Sequence, residues 1–197
     1  MKITRIAVAS ILILAAAGLG RSIVHARRSS ELGSRVFGSS EALEAFRSSS
    51  VIAAQRLHCN QPDGSSTLAD YTRELPVQLS DEQVRELKRI FTDRTLYPPE
   101  LWTSPIGERI LTTCGAPNYA VLFTTQSRPV VQIALCFRCD QFGVFVGERQ
   151  DSPNVNDSDP LYFMQPFLVS LVKSIYPSDA QIQAIKRKDY FDHLTNR

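Results

Sequence analysis

The sequence is poor in the residues from which most recognisable sites are built. Its 197 residues hold four cysteines, three histidines, two methionines and one tryptophan. It has no G-x-G-x-x-G, no P-loop and no H-E-x-x-H, so glycine-cradled phosphate sites and helical zinc-protease sites have no footing. No apolar stretch reaches the roughly 20 residues of a membrane-spanning helix. A strong excess of one charge is missing as well. The formal charge is +2, but Lys2, Arg5 and Arg21 stand in an N-terminal segment without acidic residues; subtracting those three from 22 basic residues leaves 19 against 20 acidic ones. A nucleic-acid partner is therefore not expected, and no cofactor motif is present. What remains is an ordinary globular composition, 43% hydrophobic and 21% charged, enough for one domain with extensions.

Ile6 to Gly20 is an uncharged run preceded by Lys2 and Arg5, the n-region and h-region order of a bacterial export signal. At about 1.5 Å per residue it falls short of the roughly 30 Å hydrocarbon core of a bilayer. Val24-His25-Ala26 offers a cleavage site, so residues 1–26 are expected to act as a signal peptide cut after Ala26. Arg21, Arg27 and Arg28 put equal positive charge behind the run and keep an uncleaved anchor open, with residues 6–24 holding the protein to the inner membrane. Either way the folded part is expected outside the cytoplasm, periplasmic or extracellular, touching membrane only through this segment. No cysteine follows the run, so a lipoprotein anchor has no attachment point.

Residues 27–39 read as a linker and residues 40–197 as a single domain. A short capped helix is expected over Ser40 to Phe46, a strand over Val51 to His58, and an extended edge segment from Tyr71 to Val77, where Pro76 cannot donate to a neighbour. Ser80 to Asp93 carries the clearest helix signal: Ser80 and Gln83 have capping-box spacing, and Val84, Leu87, Ile90 and Phe91 form one stripe. Glu100 to Thr113 reads as irregular or one helical turn. Tyr119–Thr125 and Val130–Arg138 form a hairpin signal around Gln126–Pro129, with a further strand at Phe142–Val146. Gln150–Pro160 reads as a polar loop. A helix follows with Met164, Phe167, Leu168, Leu171, Val172 and Ile175 as its apolar stripe, and a last helix over Ala180–Tyr190 presents Lys186-Arg187-Lys188 to solvent. The pattern predicts an α+β fold, a small antiparallel sheet of about 4–5 strands packed against helices on one face.

Cys59, Cys114, Cys136 and Cys139 are the candidate site residues, as disulfide partners or metal ligands. An even count in an exported domain favours structural disulfides. Cys136-Phe137-Arg138-Cys139 also admits a thioredoxin-like or zinc reading. The first wants a helix after the motif, where strand-like residues stand; the second has only one C-x-x-C knuckle. A c-type haem site fails because Asp140 occupies the required histidine position. No metal site is assigned. If the hairpin turn centres on Ser127 and Arg128, partner numbers add to about 255, which places Cys114 nearest Cys139 and leaves Cys59 for Cys136. Closing Cys136 on Cys139 would require a turn between them.

Other groupings read more plainly as structure. His58 beside Cys59 points to the opposite side of a strand. Ser170-Leu171-Val172-Lys173 matches S-x-x-K without its companion motifs, and Asp151, Asn154, Asn156, Asp157 and Asp159 lack the glycine and distal glutamate of a calcium loop.

The strand VIAAQRLH, the helix LSDEQVRELKRIF, the phrase LYPPELW, Cys114 with Pro117, and the hairpin end Leu135-Cys136-Phe137-Arg138-Cys139-Asp140 together resemble a family of uncharacterised bacterial exported proteins and lipoproteins with a C-F-x-C motif. The resemblance covers about half the chain and implies no activity. The expectation is an exported envelope domain, a non-enzymatic binding or structural module for a protein or envelope ligand, with thiol chemistry at C-F-R-C as the alternative.

Overall fold

The computed structural model describes residues 30–59, 68, 71–97, 101–102, 120–138, 140–147 and 154–188. The first of these correct the expected linker over 27–39. Residues 30–36 are helical (α1), and Leu32, Val36 and Phe37 are buried. They are the only large apolar residues in a Ser-, Gly- and Arg-rich stretch, yet they fall on one helical face. Gly38, with φ 74°, ends α1 in the left-handed region. Gly33 lets the next turn press against it, since a Cβ there would lie 2.8 Å from Ser40 Cα. Helix α2 (Ser40–Ser48) is capped by the Ser39 hydroxyl, which accepts from Ala42 N at 3.0 Å, and buries Ala42, Leu43, Ala45 and Phe46.

Strand β1 (Ile52–Cys59) carries two short strands along one edge, β2 (Tyr71–Arg73) and β3 (Val77–Gln78). Pro76 sits between the sites of pairing, in the edge position its missing N–H requires. Helix α3 (Asp81–Thr92) has the expected capping box: Gln83 N donates to Ser80 Oγ, and Ser80 N donates to Gln83 Oε1. Its buried residues are Val84, Leu87, Ile90 and Phe91, as the periodicity predicts. A 3-10 turn (Arg94–Leu96) follows. Strands β4 (Val121–Thr125), β5 (Val131–Cys136), β6 (Gln141–Val146) and β7 (Asn154–Pro160) complete one sheet in the order β2-β1-β4-β5-β6-β7, every described pairing antiparallel.

The fold is therefore α+β with an antiparallel sheet, but with seven strands among the described residues instead of 4–5. The added ones are β3 and β7. Strand β7 occupies part of the stretch expected as a polar loop, because at an edge the backbone ladder to β6 suffices to hold a strand. The β4–β5 register also differs by one, with Val121 opposite Leu135. Thr125 Oγ1 accepts the Val131 amide at 2.9 Å, so a side chain closes the hairpin where a backbone carbonyl would otherwise serve.

Alternation along the strands feeds two apolar clusters. Ile52, Phe123, Ile133, Phe142 and Val144 face α2, α3 and α4 (Gln165–Ile175), where Phe91 meets Phe46 and Phe142 edge-on with ring centroids 6.2 and 5.4 Å away. Leu57, Leu122, Ala134, Cys136 and Phe145 form a smaller cluster on the other face, with Leu68 and Tyr71 over it. In α4 the expected stripe holds except at Phe167, which is 39% exposed, while Val169 is buried in its stead. The last helix, α5, spans only Ala180–Gln183, not Ala180–Tyr190. Buried Gln165 explains the stop: its Nε2 donates to Lys186 O at 3.0 Å and its Oε1 accepts from Lys188 N at 2.9 Å, holding that backbone away from helical bonding. No helix among the described residues is long and apolar enough to cross a membrane.

Candidate functional site

Helices α3 and α4 lie side by side over the sheet, and their outward faces enclose an open groove of about 800 Å³. The α3 side supplies Glu82, Gln83, Arg85, Glu86 and Arg89, placed outward because the other face of the helix carries the core stripe. The α4 side supplies Phe167, Ser170 and Ser174. Arg89 is the centre of the groove's chemistry. Its Nε and a terminal nitrogen donate to the two Glu86 carboxylate oxygens at 2.8 and 2.7 Å, and its guanidinium lies 5.1 Å from the Phe167 ring centroid. The hydrogen bond to Arg89 holds the Glu86 carboxyl below its ordinary range, and the same bond raises the guanidinium. Both charges stay fixed through neutral pH.

The hydroxyls of the groove are committed to the backbone. Ser170 Oγ donates to Pro166 O at 2.8 Å, and Ser174 Oγ donates to Leu171 O at 2.7 Å while accepting from Gln83 Nε2. The S-x-x-K spacing thus places Ser170 and Lys173 on one turn, but the hydroxyl proton is directed to a carbonyl and not toward the lysine. A nucleophile needs that proton aimed at a base.

The structure separates the other candidate residues. His58 Nε2 meets Glu74 Oε1 at 2.6 Å on an exposed part of the β1 edge, away from the groove. Asn154, Asn156, Asp157 and Asp159 belong to β7, an extended edge strand that spreads them at about 3.3 Å per residue instead of wrapping them around an ion; Asp151 lies outside the described residues. Among the described residues no group of three or more His, Cys, Asp or Glu could hold a metal.

Cys136 ends β5, fully buried and directly opposite Gln141. Cys59 ends β1 opposite Tyr71. Since β4 lies between β1 and β5, two strand spacings, roughly 10 Å, separate those strands. A disulfide spans only about 4.4–6.8 Å between Cα atoms, so the strand order sets these two strands farther apart than the expected Cys59–Cys136 pairing would bridge. Cys114 and Cys139 lie outside the described residues, and so does their expected pairing. The chain does reverse around the motif: Phe137 and Arg138 turn, Asp140 takes φ 53°, and β6 begins at Gln141.

One buried polar group escaped the sequence reading. The Arg56 side chain, 5% exposed on β1, donates to Asp179 Oδ2 at 2.7 Å, Ala120 O at 2.8 Å and Gln181 Oε1 at 3.1 Å. Asp179 also caps α5 by accepting from Ile182 N. Desolvation pushes the Asp179 carboxyl up, but the Ile182 amide and the Arg56 charge outweigh it and hold the group below its ordinary value. Tyr176 packs beside them, and burial pushes its phenol up to about 12. The only sequence signal was a lone arginine in an apolar strand. This cluster fastens α5 to the sheet and does not open into the α3–α4 groove.

No family model, no curated protein and no solved structure matches this chain. The chemistry of its site rests on the geometry above.

Proposed function

We propose that the chain is an exported envelope domain acting as a non-enzymatic binding module, with the α3–α4 groove as its binding face. The observation that carries this reading is the state of the groove's reactive groups. Glu86 is neutralised by a two-point bond to Arg89, and Ser170 and Ser174 donate to carbonyls, so none of these three groups is an activated base or nucleophile, and beside them the face offers shape, an aromatic ring and exposed charge. Such groups recognise a partner without transforming it. Export rests on the Ile6 to Gly20 run and the cleavage position after Ala26. The resemblance to exported C-F-x-C proteins agrees with it.

Two measurements test the reading. An acylating probe applied to the native protein should leave Ser170 unlabelled, and labelling there would replace the module with a hydrolase. Protein recovered from the envelope fraction should begin at Arg27, and a full-length chain found only in membranes would favour the anchor. The thiol alternative has its own support in the chain reversal around Cys136-Phe137-Arg138-Cys139. It requires a disulfide reducible under native conditions. Intact mass before and after native reduction and alkylation distinguishes the two, because a fully buried Cys136 resists both reagents.

A further inference from the structure

The outward face of α3 repeats its charges in a particular order: Glu82, Arg85, Glu86, Arg89. Reversing the helix and laying it against itself about a two-fold axis midway between positions 85 and 86 sets Glu82 against Arg89 of the other copy and Arg85 against Glu86. Every facing pair is then of opposite sign. Within one chain Glu82 and Arg85 have no ion-pair partner among the described residues, and both are exposed, so their charges are uncompensated. Beside them stands Phe167, one of three large apolar side chains among the described residues that remain exposed, with Arg89 over its ring.

We propose that the α3–α4 face is an isologous interface whose occupant is a second copy of this chain, the two α3 helices antiparallel across it. A closed two-fold interface uses the same patch on both subunits and must be self-complementary, which this charge order satisfies and a uniformly charged face would not. Phe167, packed against Arg89, adds apolar surface beside each outer charge pair. The inference deepens the binding-module reading by naming the partner, and it rests on the groove being the binding face.

Charge reversal tests it. In Glu82→Arg homodimers residue 82 faces Arg89, and in Arg89→Glu homodimers Glu82 faces residue 89 with the same sign. Each variant alone should associate at least about tenfold more weakly than the wild type in sedimentation velocity. Mixed together, the two should form heterodimers in which both facing pairs are again opposite in sign, restoring association to about the wild-type level. Recovery on mixing cannot come from a folding defect, because a misfolded variant has no complementary face to offer. All proteins are used as full chains, so association through residues 1–29 would be common to them and cancels. A wild-type chain that stays monomeric, reversals that leave association unchanged, or a mixture that fails to recover would each overturn the proposal. None of these outcomes involves labelling of Ser170 or native reduction, so failure of the dimer and failure of the non-enzymatic reading remain distinguishable.

Discussion

The two faces of the sheet are built from the same strands and differ in what covers them. On the helix side Phe37, Phe46, Phe91, Phe123 and Phe142 are essentially inaccessible and interlock under α2, α3 and α4. On the opposite side Leu57, Leu122, Ala134, Cys136 and Phe145 lie with Leu68 and Tyr71 in a smaller cluster among the described residues, where Phe145 is the one buried phenylalanine. Strand alternation delivers apolar residues to both sides, but the helices decide which side becomes the main core. Stability should divide accordingly.

The largest difference should come from the rings. Phe91→Ala removes the side chain that touches both α2 and the sheet and should cost about 3–5 kcal/mol in urea unfolding, as buried aromatic truncations do. A matched pair of leucines sharpens the comparison. Leu168 and Leu122 are both 0% exposed, yet Leu168 sits in the main core and Leu122 in the smaller cluster. Leu168→Ala should cost roughly 2–5 kcal/mol and Leu122→Ala near the lower end of that range, because the cluster around Leu122 is the smaller of the two among the described residues. Equal losses would show that the two clusters are one cooperative core.

The rim between the faces is held by the Arg56–Asp179 pair. Asp179→Asn keeps an oxygen able to cap α5 but removes the charge facing a buried guanidinium, and should cost about 2 kcal/mol, less than a fully buried pair because Asp179 is 23% exposed. Its pH dependence follows from the lowered carboxyl. The native state favours the ionised form, so this contribution is fully present above the unfolded value of 3.8 and is lost as the pH falls through the lower folded value. Unfolding midpoints measured between neutral pH and pH 3 should fall for the wild type, with that part of the fall missing in Asp179→Asn. Smaller effects belong to the outer surface. Ser80→Ala opens the α3 capping box and should cost about 1 kcal/mol. Glu86→Gln breaks an exposed pair and should change stability by no more than about 0.5 kcal/mol, even though that residue lines the binding face.

These elements differ in how far they were legible. Helix α3 could be read to the residue because its signals are local: Ser80 and Gln83 close its first turn, and its four buried residues repeat at helical spacing. The candidate groove was not legible at all. It arises where α3 meets α4, two helices more than seventy residues apart in the chain, and Phe167 was read as core because periodicity cannot say that its ring borders an open groove beneath Arg89.

By itself the sequence determined the fold class, the position of most strands and helices, and the absence of familiar cofactor motifs, since hydrophobic spacing and capping residues act over a few positions of chain. Tertiary structure alone decided three things. It made the polar stretch at 154–160 an edge strand, because β6 offered it a backbone ladder. It ended α5 at Gln183, because buried Gln165 claimed the backbone that would have continued it. It kept Cys59 and Cys136 apart by inserting β4, since strand order is fixed by which faces must be buried together and not by the spacing of cysteines along the chain.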